Sequence, residues 1–478
     1  MKLSELIPPL SIDGPDAEIT SIECDSRKVT EGALFAALPG TVADGRDYID
    51  AAINNGAAAI LSTPGLDLDL PYIASENPRL TYSRIASRLY AGQPEILVAM
   101  TGTNGKSSTV EFLRQIWAHA GLKAACFGTL GVRYGEEFLP LSHTTPDAVV
   151  LHKTLHKLTE MGVTHVAMEA SSHGLKQHRL DGVEITASGF SNLTQDHFDY
   201  HPDVDDYFNS KARLFTELTP ADAPVVINVN DEYGQKLAKI CEARGQKIIR
   251  AGWAGEDIRI DEVMPRAASQ LIDLIVSGKR YKVELPLVGE FQVLNAVAAL
   301  GLARETGVDI ETAIAALGKL YGVAGRLELA GKTKDGAPIL VDFAHTEDGL
   351  DKLLRSVRPH TIGRMIIVFG CGGDRDPDKR PKMGAVAAKH ADYVIVTDDN
   401  PRTEDPASIR KAVLKGCPDA EEIGDRASAI RAGIAMLGPR DCLVIAGKGH
   451  EQGQIVGEKV IPFCDVEQSR AALKEKAA

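Results

Sequence analysis

At 478 residues the chain is longer than one hydrophobic core supports, which predicts three domains. Hydrophobic residues make up 44% and charged residues 25%, as in a globular protein, and the net charge of −13 excludes a general nucleic-acid binder, which needs a basic face. Seven scattered cysteines without a C-x-x-C pair predict a reduced chain with no structural zinc; no apolar run serves as a signal peptide or membrane span, so a cytoplasmic protein without a membrane partner is expected.

Residues 1–92 read as a small α/β domain, with strands at 34–38 and 57–61 and helices at 48–55 and 82–90. Its Cys24-Asp25-Ser26-Arg27 stretch reads on composition as a polar loop, and Ala91-Gly92-Gln93-Pro94 as a linker. The apolar run at 96–100 then predicts a buried strand. It feeds Thr101-Gly102-Thr103-Asn104-Gly105-Lys106-Ser107-Ser108 and a helix over 106–120. A glycine turn entering a helix points backbone N–H groups at one spot, where the helix dipole also favours an anion. Lys106 adds a cation for terminal phosphates, and the Ser107 hydroxyl can reach a phosphate-bound Mg²⁺. Gly102 and Gly105 enclose two residues where the common P-loop has four between its glycines. The strand–turn–helix setting nevertheless predicts a nucleoside-triphosphate site.

Across 93–328, strands at 123–126, 164–169, 186–190 and 224–228 alternate with helices at 148–161, 204–218 and 232–243. That order predicts a mostly parallel sheet with ligands at the carboxyl ends of its strands. Residues 269–287 alternate like antiparallel strands, and helices at 291–306 and 310–320 follow. Glu169 ends a strand where a metal ligand opposite the phosphate loop is expected. Residues 191–201 concentrate acid and imidazole, whereas Lys211-Ala212-Arg213 reads by spacing alone as a solvated helix face.

The segment 329–478 holds strands at 339–342, 364–369, 393–396 and 442–446. Gly370-Cys371-Gly372-Gly373-Asp374-Arg375 invites a dinucleotide reading but lacks the G-x-G-x-x-G spacing. Asp342 to Asp348, Asp398 to Arg402, and Gly447-Lys448-Gly449-His450-Glu451 each follow a strand. Three charged loops at one sheet edge predict a binding site.

These motifs resemble the Mur ligases, which build the peptidoglycan stem peptide, and the short phosphate loop is of their kind. The resemblance covers the whole chain. It implies an α/β protein of three domains: a small UDP-binding domain (1–92), a central P-loop-type ATP domain with a mostly parallel sheet (93–328), and a Rossmann-like amino-acid domain (329–478). It places ATP on Gly102, Thr103, Asn104, Gly105, Lys106, Ser107 and Ser108, with Asn295 at the adenine and Arg326 and Asp342 at the γ-phosphate and ribose. Mg²⁺ is implied at Ser107, Glu169, His197 and a carbamylated Lys211, and catalysis is assigned to Lys106, Lys211, His197 and Arg326. Ser26, Thr144, Thr145, Ser171, Gln177 and Arg179 are implied to hold a UDP-N-acetylmuramoyl-dipeptide. The Thr41-Val42-Ala43 segment would lie near the uridine, although Thr41 and Val42 depart from the family's usual polar pair.

For the amino acid, Arg375, Asp399, Asn400, Pro401, Arg402, Gly447 and Glu451 match the members that take meso-diaminopimelate, with Arg402 gripping its distal carboxylate. A guanidinium fork suits a carboxylate, and facing lysine it would be desolvated and unpaired. The implied activity is ATP-dependent amide ligation through an acyl phosphate by a monomer. A lysine-adding member, a folylpolyglutamate synthetase and a regulatory P-loop NTPase are the alternatives, and the first turns on Arg402.

Overall fold

In a computed structural model of the chain, residues 1–7, 12–40, 43–135, 137–141, 143–194 and 200–477 are described. Thr41, Val42 and residues 195–199, His197 among them, lie outside the described residues. The chain forms two compact units, Met1–Glu256 with Ala298–Ala313, and Asp257–Val297 with Ile314–Ala478.

The first unit opens with a parallel sheet in the order Ser21–Glu23, Ala33–Ala36, Ala57–Ser62, Tyr72–Ala74. Side chains alternate between its faces, so that Leu34, Ala36 and Leu61 pack with Leu3, Tyr82 and Ile85. Ala33, Phe35 and Ile60 pack on the other side with Val29, Ile49 and Ala52. The helix Pro78–Leu89 starts four residues earlier than its apolar pattern indicates. Asn77 caps it by accepting from the Leu80 N–H at 3.1 Å, and Pro78 occupies its first turn.

The larger sheet of this unit runs in the order Ile248–Gly252, Val225–Asn228, Ala187–Phe190, Ile96–Thr101, His165–Glu169, Ala124–Gly128, all parallel. Gly131–Tyr134 and Glu137–Leu139 then extend it antiparallel. The phosphate-loop strand sits between two neighbours in close register, with Thr101 opposite Phe190 and Met100 opposite Glu169. Three loops therefore leave the same carboxyl edge, as expected of a parallel sheet. The helix expected over 204–218 is α-helical only through Val204–Arg213 and continues as a π-helical turn, Leu214–Leu218.

In the second unit the antiparallel segment begins earlier than its alternation suggests. Ile258–Arg266, Ser269–Val276 and Lys279–Leu285 form a meander. A six-stranded sheet follows in the order Glu328–Lys332, Pro338–Asp342, Cys442–Ala446, Met365–Phe369, Tyr393–Val396, Glu421–Glu422, with only the first pair antiparallel. Asp342 and Phe369 both pair with Ala446, and Phe369 also pairs with Val396. The loops after these strands thus share one edge, as the charged motifs predict. A short hairpin, Gly453–Val456 with Lys459–Pro462, projects beyond them. Among the described residues no helix is long and apolar enough to cross a membrane.

Candidate functional site

The first unit's site is built on the loop between Ile96–Thr101 and the helix Lys106–His119. Gly102 has φ of 143°, and any side chain there would collide with the Ser191 hydroxyl. Glycine is required at this position by both backbone and space. The loop is held from behind by the strand-end segment at 191–194. Thr103 N–H donates to the Asn192 carbonyl at 2.8 Å, Asn104 N–H to Asn192 Oδ1 at 3.0 Å, and the Ser191 hydroxyl to the Asn104 carbonyl at 2.6 Å. Lys106 folds back, donating to the Gly102 and Thr103 carbonyls at 2.9 Å each.

Ser107 donates to Glu169 Oε1 at 2.8 Å. The same carboxylate accepts from the Thr129 N–H at 2.8 Å and the Thr129 hydroxyl at 3.2 Å, and a side chain at Gly128 would collide with it. Two hard oxygen donors, one anionic, stand side by side at the mouth of the phosphate loop, a donor set that fits Mg²⁺. Lys211 is 1% exposed and donates to the Gly102 carbonyl at 2.8 Å, its ammonium lying 4.3 Å from the centre of the Tyr207 ring. Tyr207 in turn shares a 3.1 Å hydrogen bond with the Thr103 hydroxyl.

The solvated-face reading of Lys211-Ala212-Arg213 is therefore overturned. Arg213 donates to Asp181 Oδ2 at 2.9 Å and to the Leu175 carbonyl at 2.7 Å, and Asp181 is 4% exposed. The pair joins the Lys211 helix to the loop carrying Gln177 and Arg179. Burial alone would raise the Asp181 carboxyl, but hydrogen bonds from His178 and Arg213 hold it below its usual range.

The residues matched to the UDP-sugar peptide fall largely into one network. The Thr145 hydroxyl donates to the Glu169 carbonyl at 2.9 Å and accepts from the Ser171 N–H at 3.0 Å. Arg179 donates to the Thr145 carbonyl at 2.6 Å and to Gln177 Oε1 at 2.7 Å. Thr144 reaches the same centre through the Thr129 hydroxyl, 3.0 Å away. Burial lowers the affinity of the Arg179 guanidinium for its proton. Cys24, Arg79, Tyr82, Asp147, Gln177 and Arg179 line a cavity of about 200 Å³. Ser26 is not in its lining. It is buried at the start of a short 3₁₀ turn capped by Asp25, which pairs with the exposed Arg27.

In the second unit, one carboxylate oxygen of Asp342 accepts from Leu327 N–H in the turn bearing Arg326, and the other from Ala344 N–H in its own loop, at 2.8 Å each. Burial pushes its carboxyl up. Arg326 lies over the Phe343 ring at 5.4 Å. Asn295 donates to Gln292, which donates to the Arg326 carbonyl at 3.4 Å.

The loops at 370–375 and 397–404 are zipped together. Gly373 N–H donates to the Asn400 carbonyl at 2.9 Å, and Arg402 donates to the Gly373 carbonyl at 2.7 Å. A side chain at Gly370 or Gly373 would strike the opposing backbone. This glycine run therefore serves close loop packing. Arg402 adopts a left-handed φ of 51°, held by backbone bonds to Ile455 and Gly457 of the hairpin. Asn400 donates to Glu451 Oε2 at 2.9 Å, bringing the two loops' functional groups together. Burial pushes the Asp399 carboxyl up, and a side chain at Gly447 would collide with it. Pro401 is buried, while Arg375 is exposed and donates to its neighbour's carbonyl, Asp374, at 3.2 Å.

Sequence reasoning missed Thr129, Tyr207 and Lys448. The signal for Lys448 was present, because a lysine bracketed by two glycines after an apolar strand is a tight inward turn.

These arrangements match known proteins along the chain. The Mur ligase family catalytic domain matches residues 18–97, the Mur ligase middle domain 100–303, and the Mur ligase glutamate ligase domain 325–449. A UDP-N-acetylmuramoyl-L-alanyl-D-glutamate--2,6-diaminopimelate ligase of Chelativorans sp. (strain BNC1) is 49% identical, with 100% of both chains covered. One of the same description from Agrobacterium fabrum is 50% identical, covering 96% of this chain and 94% of its own. A solved structure of a UDP-N-acetylmuramoyl-L-alanyl-D-glutamate--2,6-diaminopimelate ligase superposes with a TM-score of 0.79 at 32% identity, over 100% of this chain and 99% of that one. A MurF ligase from Thermotoga maritima in complex with ADP shares the fold, with a TM-score of 0.59 at 18% identity over 96% and 98%. With a phosphate loop braced as described and all three domain matches in order, the chain belongs to the Mur ligase family.

Proposed function

We propose that the chain is the ATP-dependent ligase that joins meso-diaminopimelate to the D-glutamate of UDP-N-acetylmuramoyl-L-alanyl-D-glutamate in peptidoglycan precursor synthesis. The D-glutamyl γ-carboxylate attacks the γ-phosphorus of ATP, the bond to ADP breaks, and an acyl phosphate forms. Lys106 and Arg326 oppose the negative charge that develops on the transferring group. Lys106 would exchange the Gly102 and Thr103 carbonyls for phosphate oxygens. The amine of diaminopimelate then attacks the acyl carbon, and phosphate leaves from the tetrahedral adduct. No protein nucleophile is required, so positioning and electrostatics carry the rate.

Ser107 and Glu169 would hold the Mg²⁺ that accompanies ATP, which neutralises phosphate charge when bound. A second Mg²⁺ would be held by His197 and Lys211 as its carbamate. An ammonium would repel a cation, whereas its CO₂ adduct is an anion on a long stem. The carbamate retains one N–H on Nζ, the atom that donates to the Gly102 carbonyl in the unmodified lysine.

The observation that carries the choice of amino acid is the meeting of the Asp399-to-Arg402 loop with Glu451. A guanidinium and a carboxylate from two strand ends match the distal carboxylate and ammonium of diaminopimelate, and lysine has no partner for the guanidinium. Steady-state kinetics of Arg402→Ala test it. The Michaelis constant for diaminopimelate should rise by the equivalent of roughly 1.5–3 kcal/mol, with those for ATP and the UDP-dipeptide little changed. Equal shifts for ATP and diaminopimelate would refute the assignment and favour a structural Arg402.

A further inference from the structure

The amino-acid loop contains a lysine to which the reading above gives no role. Lys448 lies between Gly447 and Gly449 and is fully buried. Its ammonium donates to Asn400 Oδ1 at 2.9 Å and to Glu451 Oε2 at 2.9 Å, and it lies 3.7 Å from Asp399 Oδ1. The flanking glycines hold φ of 115° and 55°. A side chain at the first would crowd the Asp399 carboxylate, and one at the second would crowd Phe343. The backbone is thus fixed on both sides of Lys448, and its side chain spans from one strand-end loop to the other.

Among the described residues, the donors to Glu451, from Asn400 and from Lys448, fall on the same oxygen, Oε2. Glu451 is partly exposed, so its second oxygen is the one left to face a ligand. Asn400 is fixed as well, since its Oδ1 also accepts from the Ile455 N–H at 2.9 Å. An ammonium withdrawn from water survives only when its charge and its protons are met. Here they are met by the groups that would contact the amino acid.

We propose that Lys448 is a positioning residue for amino-acid selection. By clamping Asn400 and one oxygen of Glu451, it aims the other oxygen at the distal ammonium of a substrate whose far end carries both an amine and a carboxylate. This rests on the diaminopimelate reading above and gives its selectivity a buried frame. Lys448 also supplies the positive charge that lets Asp399 and Glu451 stand close together. Burial would raise the Glu451 carboxyl, but the bonds from Asn400 and Lys448 outweigh it and hold Glu451 below its usual range, ionised for binding.

The test compares wild type, Lys448→Met, Lys448→Gln, Glu451→Gln and the Lys448→Met/Glu451→Gln double variant in steady-state ADP release, varying each substrate in turn. Lys448→Met should raise the Michaelis constant for diaminopimelate at least tenfold, with those for ATP and the UDP-dipeptide within twofold of wild type. Lys448→Gln, which keeps a neutral donor, should fall between. In the Glu451→Gln background the Lys448→Met change should add less than twofold, because Lys448 acts through Glu451. Equal effects in both backgrounds, or equal shifts for all three substrates, would overturn the positioning role. Failure of both Lys448 variants to fold would do so too, making the residue a structural anchor. If wild type itself does not use diaminopimelate, the functional reading fails instead, and the two failures are told apart in one experiment.

Discussion

Lys106 and Lys211 converge on one acceptor, the Gly102 carbonyl of the phosphate loop. Lys106 is partly exposed and can turn toward an anion, whereas Lys211 is enclosed beneath Tyr207 and is fixed. Different outcomes follow for the two residues. Lys106→Ala removes a cation from the developing phosphoryl charge, and kcat should fall by at least about 10²–10³-fold in a variant whose circular dichroism and melting match wild type. Near-normal turnover would remove Lys106 from the chemistry. Lys211→Ala should be nearly inactive, and formate or acetate should restore part of the rate by standing in for the carbamate. Full activity without additive would refute the carbamate. At this scale the sequence was legible where a residue's neighbours in the chain define its task, as with Gly102 or Ser107. It was illegible where the partner is distant: Lys211 and Arg213 look like a wet helix face until Gly102 and Asp181, 109 and 32 residues away, are seen beside them.

The elements most readable in advance are the buried parallel strands, such as Ile96–Thr101 and Cys442–Ala446, because both faces are covered and the sequence becomes a continuous apolar run. Several of those missed are short, lie at an edge, or are polar. Glu137–Leu139 and Lys459–Pro462 are largely exposed, and Glu421–Glu422 has no apolar residue. Several helices of the central segment, such as Lys106–His119 and Glu232–Ala243, were legible in extent. Those after residue 329, Glu347–Val357 and Arg426–Ala435 among them, were not bounded in advance, nor were the polar residues that helices bury.

The helix Ala148–Glu160 buries His152, whose Nε2 has no hydrogen-bond partner among the described residues and sits where any side chain at Gly182 would crowd it. Burial lowers its pKa from 6.5 to about 4. Between those values the unfolded chain binds a proton that the folded chain refuses, so stability is lost as pH falls from about 6.5 toward 4. The loss at pH 5 should be about 2 kcal/mol. Urea unfolding at pH 7 and pH 5 should show it, and His152→Gln should flatten that part of the profile. An unchanged slope in the variant would assign the loss to other groups.

On the scale of the whole molecule, the two units each present their polar loops at the carboxyl edge of a mostly parallel sheet, and the three family matches run in chain order through them. Fold and family were thus readable from the strand–turn–helix at 96–119 and the strand-end motifs. The bracing that makes the site work, Asn192 behind the phosphate loop and Thr129 behind Glu169, was not, because each contact joins loops far apart in the chain. The central claim is that this chain couples ATP cleavage to acylation of one particular amine. It is tested most directly by ADP release from the wild-type protein with UDP-N-acetylmuramoyl-L-alanyl-D-glutamate and Mg²⁺, offered meso-diaminopimelate or lysine in separate reactions. Rapid ADP release with diaminopimelate, little with lysine and little without the UDP-dipeptide is the predicted result. Equal rates with the two amines, or ADP release indifferent to the UDP-dipeptide, would contradict it.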